Sequence, residues 1–517
     1  MVFLLAFWRL LCLVVMGLVV WQLAMPRHRP QPMPRSLRVF GRLLLLTFGL
    51  CALLQGIWAV YPGLSPGFRA NLGRDRRVYR LQGLTDRRPV ADRWGEPLIE
   101  NELRDGEVVR RHVHGAATAH VLGYHHVRFG QTGVEAAYND TLFTARRPAW
   151  GTLGALGQPG NPLAEPLRLT IDWRLQEVAA EALGDRAGAV VVVEPATGDV
   201  LVLVSAPSFD PNDLDRERFA QLSADDRRPL LNRALAGLYP PASTYKAVTA
   251  AAALAAGWGP GTTVDVPPGG FIPPGETQPI RDYEASRSTR WAGHGELDMR
   301  SALALSANGY FAALGLELGA AELNQASRAF GLTDSWSLTP YEFGADTLRA
   351  KAGSGPREKD SAGITARDAI GQGRVLATPL HMALVMACIA NDGVLVPPHV
   401  GLGEPPRLTR QVLAEGRARQ LAELLRAPVE DPRGTARALR IAGLSLAAKT
   451  GSAENTAGAA HGWLVGFAPV EAPRLAWAVL VEHGGTGSGS ALPIARQVLL
   501  AAQDAGWFAS DDPEPTL

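Results

Sequence analysis

The sequence predicts an α/β protein in which one sheet is packed by helices. A small β-rich module precedes it, and two apolar segments lead the chain. Three observations predict this order. Candidate strands stand at both ends of residues 166–505 with helical stretches between them, the pattern of a single sheet covered by helices. Residues 62–165 are rich in Arg, Gly and short hydrophobic pieces. Residues 3–25 and 42–61 are predominantly apolar.

Each leading apolar run is long enough to cross about 30 Å of hydrocarbon as a helix. Between them lie Arg27, Arg29, Arg35, Arg38 and Arg42 with several prolines. The positive-inside rule puts that loop in the cytoplasm and everything after residue 61 outside. The first run lacks the basic start and small-x-small exit of a cleaved signal peptide. Residues 1–61 are therefore expected to be a membrane anchor with two transmembrane helices, 3–25 and 42–61.

In the next module, residues 62–165, the stretch VADRWGEPL from Val90 to Leu98 reads as a hairpin turn between strands. Five of the chain's 11 histidines fall here: His112, His114, His120, His125 and His126. No cysteine or carboxylate at ligand spacing accompanies them, so they read as a surface or groove cluster and no metal is expected.

From residue 166 the pattern sharpens. A strand at Leu167 to Thr170 leads to a helix from Trp173 to Leu183. Ala187 to Val193 and Asp199 to Ser205 flank the turn Pro195-Ala196-Thr197-Gly198, a hairpin signature. Residues 242–256 are Ala-rich and helical, 296–318 read as two helices with a polar interruption, and 379–391 as a further helix. Three strands follow, Leu446 to Ala453, Trp463 to Pro469 and Arg474 to Glu482, then a helix from Ala491 to Ala502. Residues 506–517 form a tail, acidic and Pro-containing from Ser510, that is expected to fray.

Composition narrows the function. A length of 517 residues suggests two to four domains. A net charge of +1 gives no case for nucleic acid. The 3 cysteines, Cys12, Cys51 and Cys388, cannot build a disulfide framework in the large part of the chain. Among 51 basic residues only Lys246, Lys351, Lys359 and Lys449 are lysines. Arginine replaces lysine where charge suffices, but a guanidinium cannot become a neutral proton acceptor. Lys351 and Lys359 sit in a Gly/Arg-rich stretch that reads as solvated loop; Lys246 and Lys449 do not.

Ser243 and Lys246 form a Ser-x-x-Lys motif that opens the Ala-rich helix. Positions three apart share a helix face, so hydroxyl and amine are neighbours. A serine needs a base to become a nucleophile, and a lysine is a base only when its pKa is depressed. Alone the motif is weak, arising by chance roughly once in such a chain; its bland reading is a capping serine and a surface lysine. Ser306-Ala307-Asn308 interrupts the helical pair, supplying a hydroxyl for proton relay and an amide for a peptide-like ligand. Its bland reading is an interhelical turn. Lys449-Thr450-Gly451-Ser452 lies on a strand and is rarer, on the order of 1% by chance. A strand glycine marks close approach of another backbone or a ligand, or else a simple bulge.

The three motifs in this order form the set shared by serine β-lactamases and penicillin-binding proteins. The resemblance extends over about residues 75–503. TIDWRLQ from Thr170, EPATGDVLVLVSAPSFDPN from Glu194, AIGQGRVLATPLHMALV from Ala369 and HGWLVGFAP from His461 resemble the transpeptidase domain of class B penicillin-binding proteins. The likeness is greatest to the smaller relatives of penicillin-binding protein 2 and its actinobacterial counterparts. AHVLGY from Ala119 and GQTGVEAAYNDTL from Gly130 resemble that family's pedestal module.

The resemblance implies a serine β-lactamase-like transpeptidase domain with a five-stranded antiparallel sheet over residues 166–505, above a pedestal at 62–165. It implies a serine D,D-transpeptidase of the bacterial cell membrane, its catalytic domain outside the cytoplasm, cross-linking peptidoglycan stem peptides and acylated by β-lactams. Ser243 would be the nucleophile and Lys246 its base. Ser306 would relay the proton, Asn308 hold the donor peptide, and Lys449 keep the site electropositive. Thr450, Gly451 and Ser452 would bind substrate, with the backbone amides of Ser243 and Ser452 as oxyanion hole. No metal or organic cofactor is implied. The sequence shows no polymerase or glycosyltransferase domain, so the family pattern implies a partner membrane polymerase of the shape, elongation, division and sporulation type. Ser452 stands where many relatives have threonine, and two membrane segments where many have one. A D,D-carboxypeptidase, a class D β-lactamase-like or sensor protein, and a scaffold with a dead site are the alternatives.

Overall fold

The computed structural model describes residues 35–64, 87–104, 107–126, 128–142, 165–282, 293–341, 344–455 and 458–509. The chain divides into two units, Met1–Asn71 and Leu72–Leu517. In the first, helix α1 spans Arg35–Leu64 and holds Leu43, Leu44, Leu45, Leu46, Leu50, Leu53 and Leu54 exposed. Among the described residues no helix is long and apolar enough to cross a membrane, so the expected span at 42–61 gains no support from the fold. The expected span at 3–25 and the tail from Ser510 lie outside the described residues.

The second unit opens with the β-rich module. Strand β1 (Val90–Ala91) turns back into β2 (Pro97–Arg104), as the VADRWGEPL stretch predicts, and β2 pairs antiparallel with β3 (Glu107–His112). Strand β4 (Leu167–Arg168) joins this sheet, parallel to β1, so the start of the next segment is hydrogen-bonded into the module before it. Beneath lies a buried ion triad. Glu135, with no exposed side-chain surface, receives Arg87 at 2.5 Å and Arg110 at 2.6 Å. Asn139 and Asn101 accept from the same two guanidiniums. Burial raises the Glu135 pKa, but the two guanidiniums outweigh it and hold the carboxyl well below the usual carboxylate range.

Helix α2 (Trp173–Leu183) begins where Asp172 accepts from the N–H groups of Arg174 and Leu175, at 3.1 and 3.3 Å. Gln176 on its first turn donates to Ala117 O at 2.8 Å and Leu203 O at 3.0 Å, tying helix, module and sheet together. Strands β5 (Gly188–Val193) and β6 (Val200–Ala206) form the hairpin expected around Pro195–Gly198. Helix α3 (Lys246–Ala255) follows a single 3₁₀ turn, Ala242–Tyr245. Helices α4 (Met299–Leu305) and α5 (Asn308–Ala329) are separated by Ser306 and Ala307. Helix α6 (Pro379–Ala390) is buried along its whole length. Strands β7 (Ala447–Ala453), β8 (His461–Ala468) and β9 (Leu475–Val481) and helix α7 (Gly487–Asp504) complete the unit.

The five strands form one antiparallel sheet in the order β7-β8-β9-β5-β6. Both faces are covered, which is why Val190–Val193 is an unbroken apolar run rather than an alternating one. Val190 and Val192 face α2 and α7 in one cluster that includes Leu175, Leu183, Leu492 and Val498. Val191 and Val193 face α6 in the other, with Met382, Leu384 and Met386. Strand β7 stands at one edge, beside the turn that carries Ser243.

The buried triad gives the module a vulnerable point. Removing one member of a buried pair leaves an uncompensated charge, costing about 3–5 kcal/mol. Glu135→Ala in the detergent-solubilised chain is expected to lower the urea-unfolding free energy by that amount. A loss under about 1 kcal/mol, the range of a surface pair, would contradict this account.

Candidate active site

Ser243 sits in the 3₁₀ turn ahead of α3, half-buried, and the turn is held from several sides. Ala242 occupies the left-handed region at φ 50°, which a residue with a Cβ adopts only under constraint. Its N–H donates to Gly371 O at 2.9 Å. A Cβ on Gly371, itself at φ +71°, would lie 2.2 Å from Ala242 O, so only glycine permits this approach. Thr244 Oγ1 donates to Pro241 O at 2.6 Å, and Tyr245 OH lies 2.6 Å from Ser327 Oγ. From the sheet side, Trp463 Nε1 donates to Pro240 O at 3.0 Å.

Gly451 does what a strand glycine suggests. A Cβ there would stand 3.1 Å from both Pro241 O and Thr244 Cγ2, so β7 runs against the serine turn. Gly451 pairs with Trp463 across the sheet, so one register position supplies both contacts to the turn.

Lys246 lies one helical turn beyond Ser243 and is fully buried. Its Nζ donates to Ser306 O at 2.6 Å and to Asn308 Oδ1 at 2.7 Å, and lies 3.3 Å from Ser306 Oγ. Lys449, also fully buried, donates to Ser306 Oγ at 2.7 Å and to Thr450 O at 3.0 Å. Burial first, and then the Lys246 charge, pull the Lys449 pKa well below the ordinary lysine value. The Ser306 hydroxyl thus sits between two amines that belong to different motifs.

Ser306 reaches this place by breaking the helix. It caps α4 in the left-handed region, φ 58° and ψ 40°, and Ala307 N returns to Ala302 O at 2.9 Å. The next helix starts at Asn308. Asp282, nearly fully buried, accepts from the N–H groups of Asn308 and, at 3.3 Å, Gly309. The Asn308 amide is oriented by its partners: Oδ1 takes the lysine proton, and Nδ2 donates to Arg281 O at 2.8 Å.

All three motifs predicted from sequence therefore converge, with Ser243, Lys246, Ser306, Asn308, Lys449, Thr450 and Gly451 in one cluster of contacts. Ser452 is joined through its carbonyl, which accepts from Gln372 Nε2 at 2.9 Å. Lys351 and Lys359 are exposed, as the loop reading requires. Four supporting residues escaped the sequence reading: Asp282, Gly371, Gln372 and Thr435, whose hydroxyl lies 2.8 Å from that of Thr450. Gly371 and Gln372 fall inside AIGQGRV, whose likeness was visible but whose task was not. Asp282 and Thr435 carry no local signal.

The histidines of the β-rich module do other work. His114 stacks on Trp173 at 4.4 Å. His112 and His120 are buried, and burial lowers each to about 4, so both are neutral at physiological pH. Among the described residues no group of three or more His, Cys, Asp or Glu could hold a metal.

The chain is similar to known proteins. A family model described as "Penicillin binding protein transpeptidase domain" matches residues 188–500. The peptidoglycan D,D-transpeptidase PbpA of Mycobacterium tuberculosis is 32% identical over 475 residues, covering 84% of this chain and 92% of the relative. The peptidoglycan D,D-transpeptidase MrdA of Acinetobacter baumannii is 31% identical, covering 76% and 66%. Among solved structures, the ceftriaxone acyl-enzyme complex of penicillin-binding protein A from M. tuberculosis matches with TM-score 0.71 and 30% identity, over 80% of this chain and 98% of that one.

Two variants test how the serine turn is held. Gly485 also has positive φ, +80°, but nothing within 4 Å of a Cβ, so Gly485→Ala meets only the backbone cost of about 1–2 kcal/mol. Gly371→Ala adds a backbone collision and is expected to lower thermal stability clearly further; equal losses would show that the approach to Ala242 is unimportant. Asp368, which begins the turn to Gly371, has its carboxyl raised to about 6 by burial. The folded state then binds the extra proton between about pH 4 and 6. Asp368 therefore contributes stability at low pH that is lost as pH rises through about 6. Urea midpoints of wild type and Asp368→Asn should diverge in the variant's favour from pH 4 to 7, and parallel curves would refute the shift.

Proposed function

The chain belongs to the class B penicillin-binding proteins, and from that premise we propose that it is a peptidoglycan D,D-transpeptidase that works through an acyl-enzyme on Ser243. One observation carries the reading: the Ser306 hydroxyl lies 2.7 Å from Lys449 Nζ and 3.3 Å from Lys246 Nζ, so a single proton path joins all three motifs. Ser243 Oγ attacks the carbonyl of the penultimate D-Ala of a stem peptide, and its proton passes to Lys246 acting as the neutral amine. The C–N bond to the terminal D-Ala then breaks, and the departing nitrogen takes a proton through Ser306. The amine of a second stem peptide attacks the ester, restores the Ser243 hydroxyl and leaves a cross-link. A β-lactam enters the same first step, but its leaving group stays attached, so the ester persists.

The assignments follow the contacts. Lys246 is assigned as the base because it lies fully buried one helical turn beyond Ser243 and donates to the Ser306 carbonyl. Lys449 keeps the pocket electropositive and polarises Ser306. The amides of Ser243 and Ser452, on the serine turn and the strand beside it, are assigned as the oxyanion hole. Asn308 binds the donor peptide, and Thr450 its terminal carboxylate. No metal or organic cofactor enters any step.

The apolar runs at 3–25 and 42–61 support attachment to the bacterial cell membrane. So do the leucines that α1 holds exposed at consecutive positions, around all sides of the helix. The arginines between the runs support a catalytic unit outside the cytoplasm. Residues 62–165 are assigned as pedestal and 166–505 as transpeptidase domain. The family pattern supports a partner membrane polymerase of the shape, elongation, division and sporulation type.

The test uses the full chain in detergent with a fluorescent penicillin and a stem-peptide substrate bearing a D-amino acid acceptor. Wild type should form a stable adduct that Ser243→Ala abolishes, and should exchange the terminal D-Ala for the acceptor. Lys246→Arg keeps charge but cannot accept a proton, so its acylation rate should fall by about 10²–10⁴ with folding intact. Release of D-Ala to water alone would make the protein a carboxypeptidase, and rapid hydrolysis of the probe would make it a β-lactamase. A folded protein that does neither would be a scaffold.

A further inference from the structure

The two amides assigned as the oxyanion hole belong to a turn and to a strand, and one dipeptide outside the three motifs bonds to both elements. We propose that Gln372 is a positioning residue for acylation: with Gly371 it braces the serine turn against β7 and so sets where the Ser452 N–H lies relative to Ser243; this rests on the transpeptidase reading above. On one side, Gly371 O accepts from the N–H of Ala242, the residue before Ser243, at 2.9 Å. On the other, Gln372 Nε2 donates to Ser452 O at 2.9 Å. The dipeptide is anchored from behind as well. Gly371 N donates to Asp368 O at 2.8 Å and Gln372 N to Arg367 O at 2.9 Å, both in the last turn of the helix Ala362–Ala369. The brace therefore stands on a helix end and reaches the turn with its main chain and the strand with its side chain.

The register of the sheet gives this brace its task. In an antiparallel pair, residues whose N–H and C=O bond to the partner strand alternate with residues whose groups point away from it. Ala448 N donates to Leu425 O, outside the sheet, so Ala448 points away from β8. Thr450 and Ser452 follow it at alternate positions in an unbroken register and point the same way. Strand β7 is the edge of the sheet, so no further strand takes these groups. The sheet thus leaves the Ser452 N–H able to meet a substrate oxygen, and it also leaves both main-chain groups of Ser452 unrestrained by a neighbouring strand. Gln372 ties down the carbonyl. Gly487 N, at the start of α7, lies 3.4 Å from Ser452 Oγ and restrains the side chain. With these held, the N–H keeps its aim. A donor stabilises a developing oxyanion only when it is aimed beforehand, and a misplacement of about 1 Å costs on the order of 10² in rate.

The experiment compares full-chain wild type, Gln372→Met and Gln372→Glu in detergent. Both variants keep the length of the side chain and remove its N–H donors, and Gln372 is only half-buried. Should either fail to fold, the other carries the test. Stopped-flow acylation by a fluorescent penicillin separates binding from the chemical step. Infrared difference spectra with penicillin G carrying carbon-13 at the lactam carbonyl report the ester stretch of the acyl-enzyme. The chemical step should slow by about 10- to 100-fold, up to the loss that such a misplacement causes, with binding near wild type. The ester stretch should move to higher wavenumber as hydrogen bonding to its oxygen weakens. A slower step with an unmoved stretch, or binding and thermal stability that fall in step with the rate, would make Gln372 merely structural. An unchanged rate and stretch would remove it from the site. Either result overturns the proposal and leaves the transpeptidase reading standing, whereas a wild type that penicillin does not acylate would overturn both.

Discussion

The site depends on two lysine amines held within reach of one hydroxyl. Lys246 and Lys449 come from helix and strand, both fully buried, and both turn toward Ser306. Two ammonium groups in a pocket with little water repel each other and lose hydration, so the fully charged pair is disfavoured. Among the described residues they donate to neutral acceptors: the Ser306 carbonyl and hydroxyl, the Asn308 amide oxygen and the Thr450 carbonyl. Such acceptors satisfy donors without stabilising positive charge as strongly as a carboxylate does.

Holding the hydroxyl there strains the backbone. Ser306 and Ala242 both occupy the left-handed region. Each is stabilised by a neighbour that a local reading would pass over. Asp282 anchors the restart of the helix after Ser306 by taking the N–H groups of Asn308 and Gly309. Gly371 takes the Ala242 N–H on its carbonyl and leaves the space that lets the turn pass. Ala242 flanks Ser243 and Ser306 is itself a motif residue, while the restraining residues Asp282 and Gly371 lie outside the motifs. Such strain persists only where surrounding contacts over-determine it.

This division explains what was legible in the sequence. Helix α2 has the predicted bounds, Trp173–Leu183, because Asp172 caps it and its apolar positions keep helical spacing. The hairpin β5–β6 was visible because a Pro-Ala-Thr-Gly turn separates two apolar runs. The motifs were visible because Ser-x-x-Lys, Ser-x-Asn and Lys-Thr-Gly stand in that order, and because lysine is rare enough in this chain for Lys246 and Lys449 to stand out. What stayed hidden is non-local. Nothing in Leu475–Val481 says that it pairs with Gly188–Val193, nearly three hundred residues earlier. Nothing in Leu167–Arg168 says that it will join Val90–Ala91 rather than the larger sheet. Asp282 and Thr435 act through side-chain hydrogen bonds to residues outside their own loops, and a lone polar residue in a loop has no periodicity to read.

The position of β7 at the sheet edge draws these threads together. An unpaired edge is a hazard, because its free N–H and C=O groups invite another strand. Here the edge is covered in parts. Ala448 N donates to Leu425 O at 3.0 Å, and Gly451 lies against the serine turn. The same arrangement that protects the edge brings Lys449 to Ser306 and Thr450 to Thr435. A central strand could not do this, since neighbouring strands would occupy both flanks and leave no room for the turn or the loop. The motif residues gather at the edge because only there can one strand meet a helix start, a helix end and a loop at once.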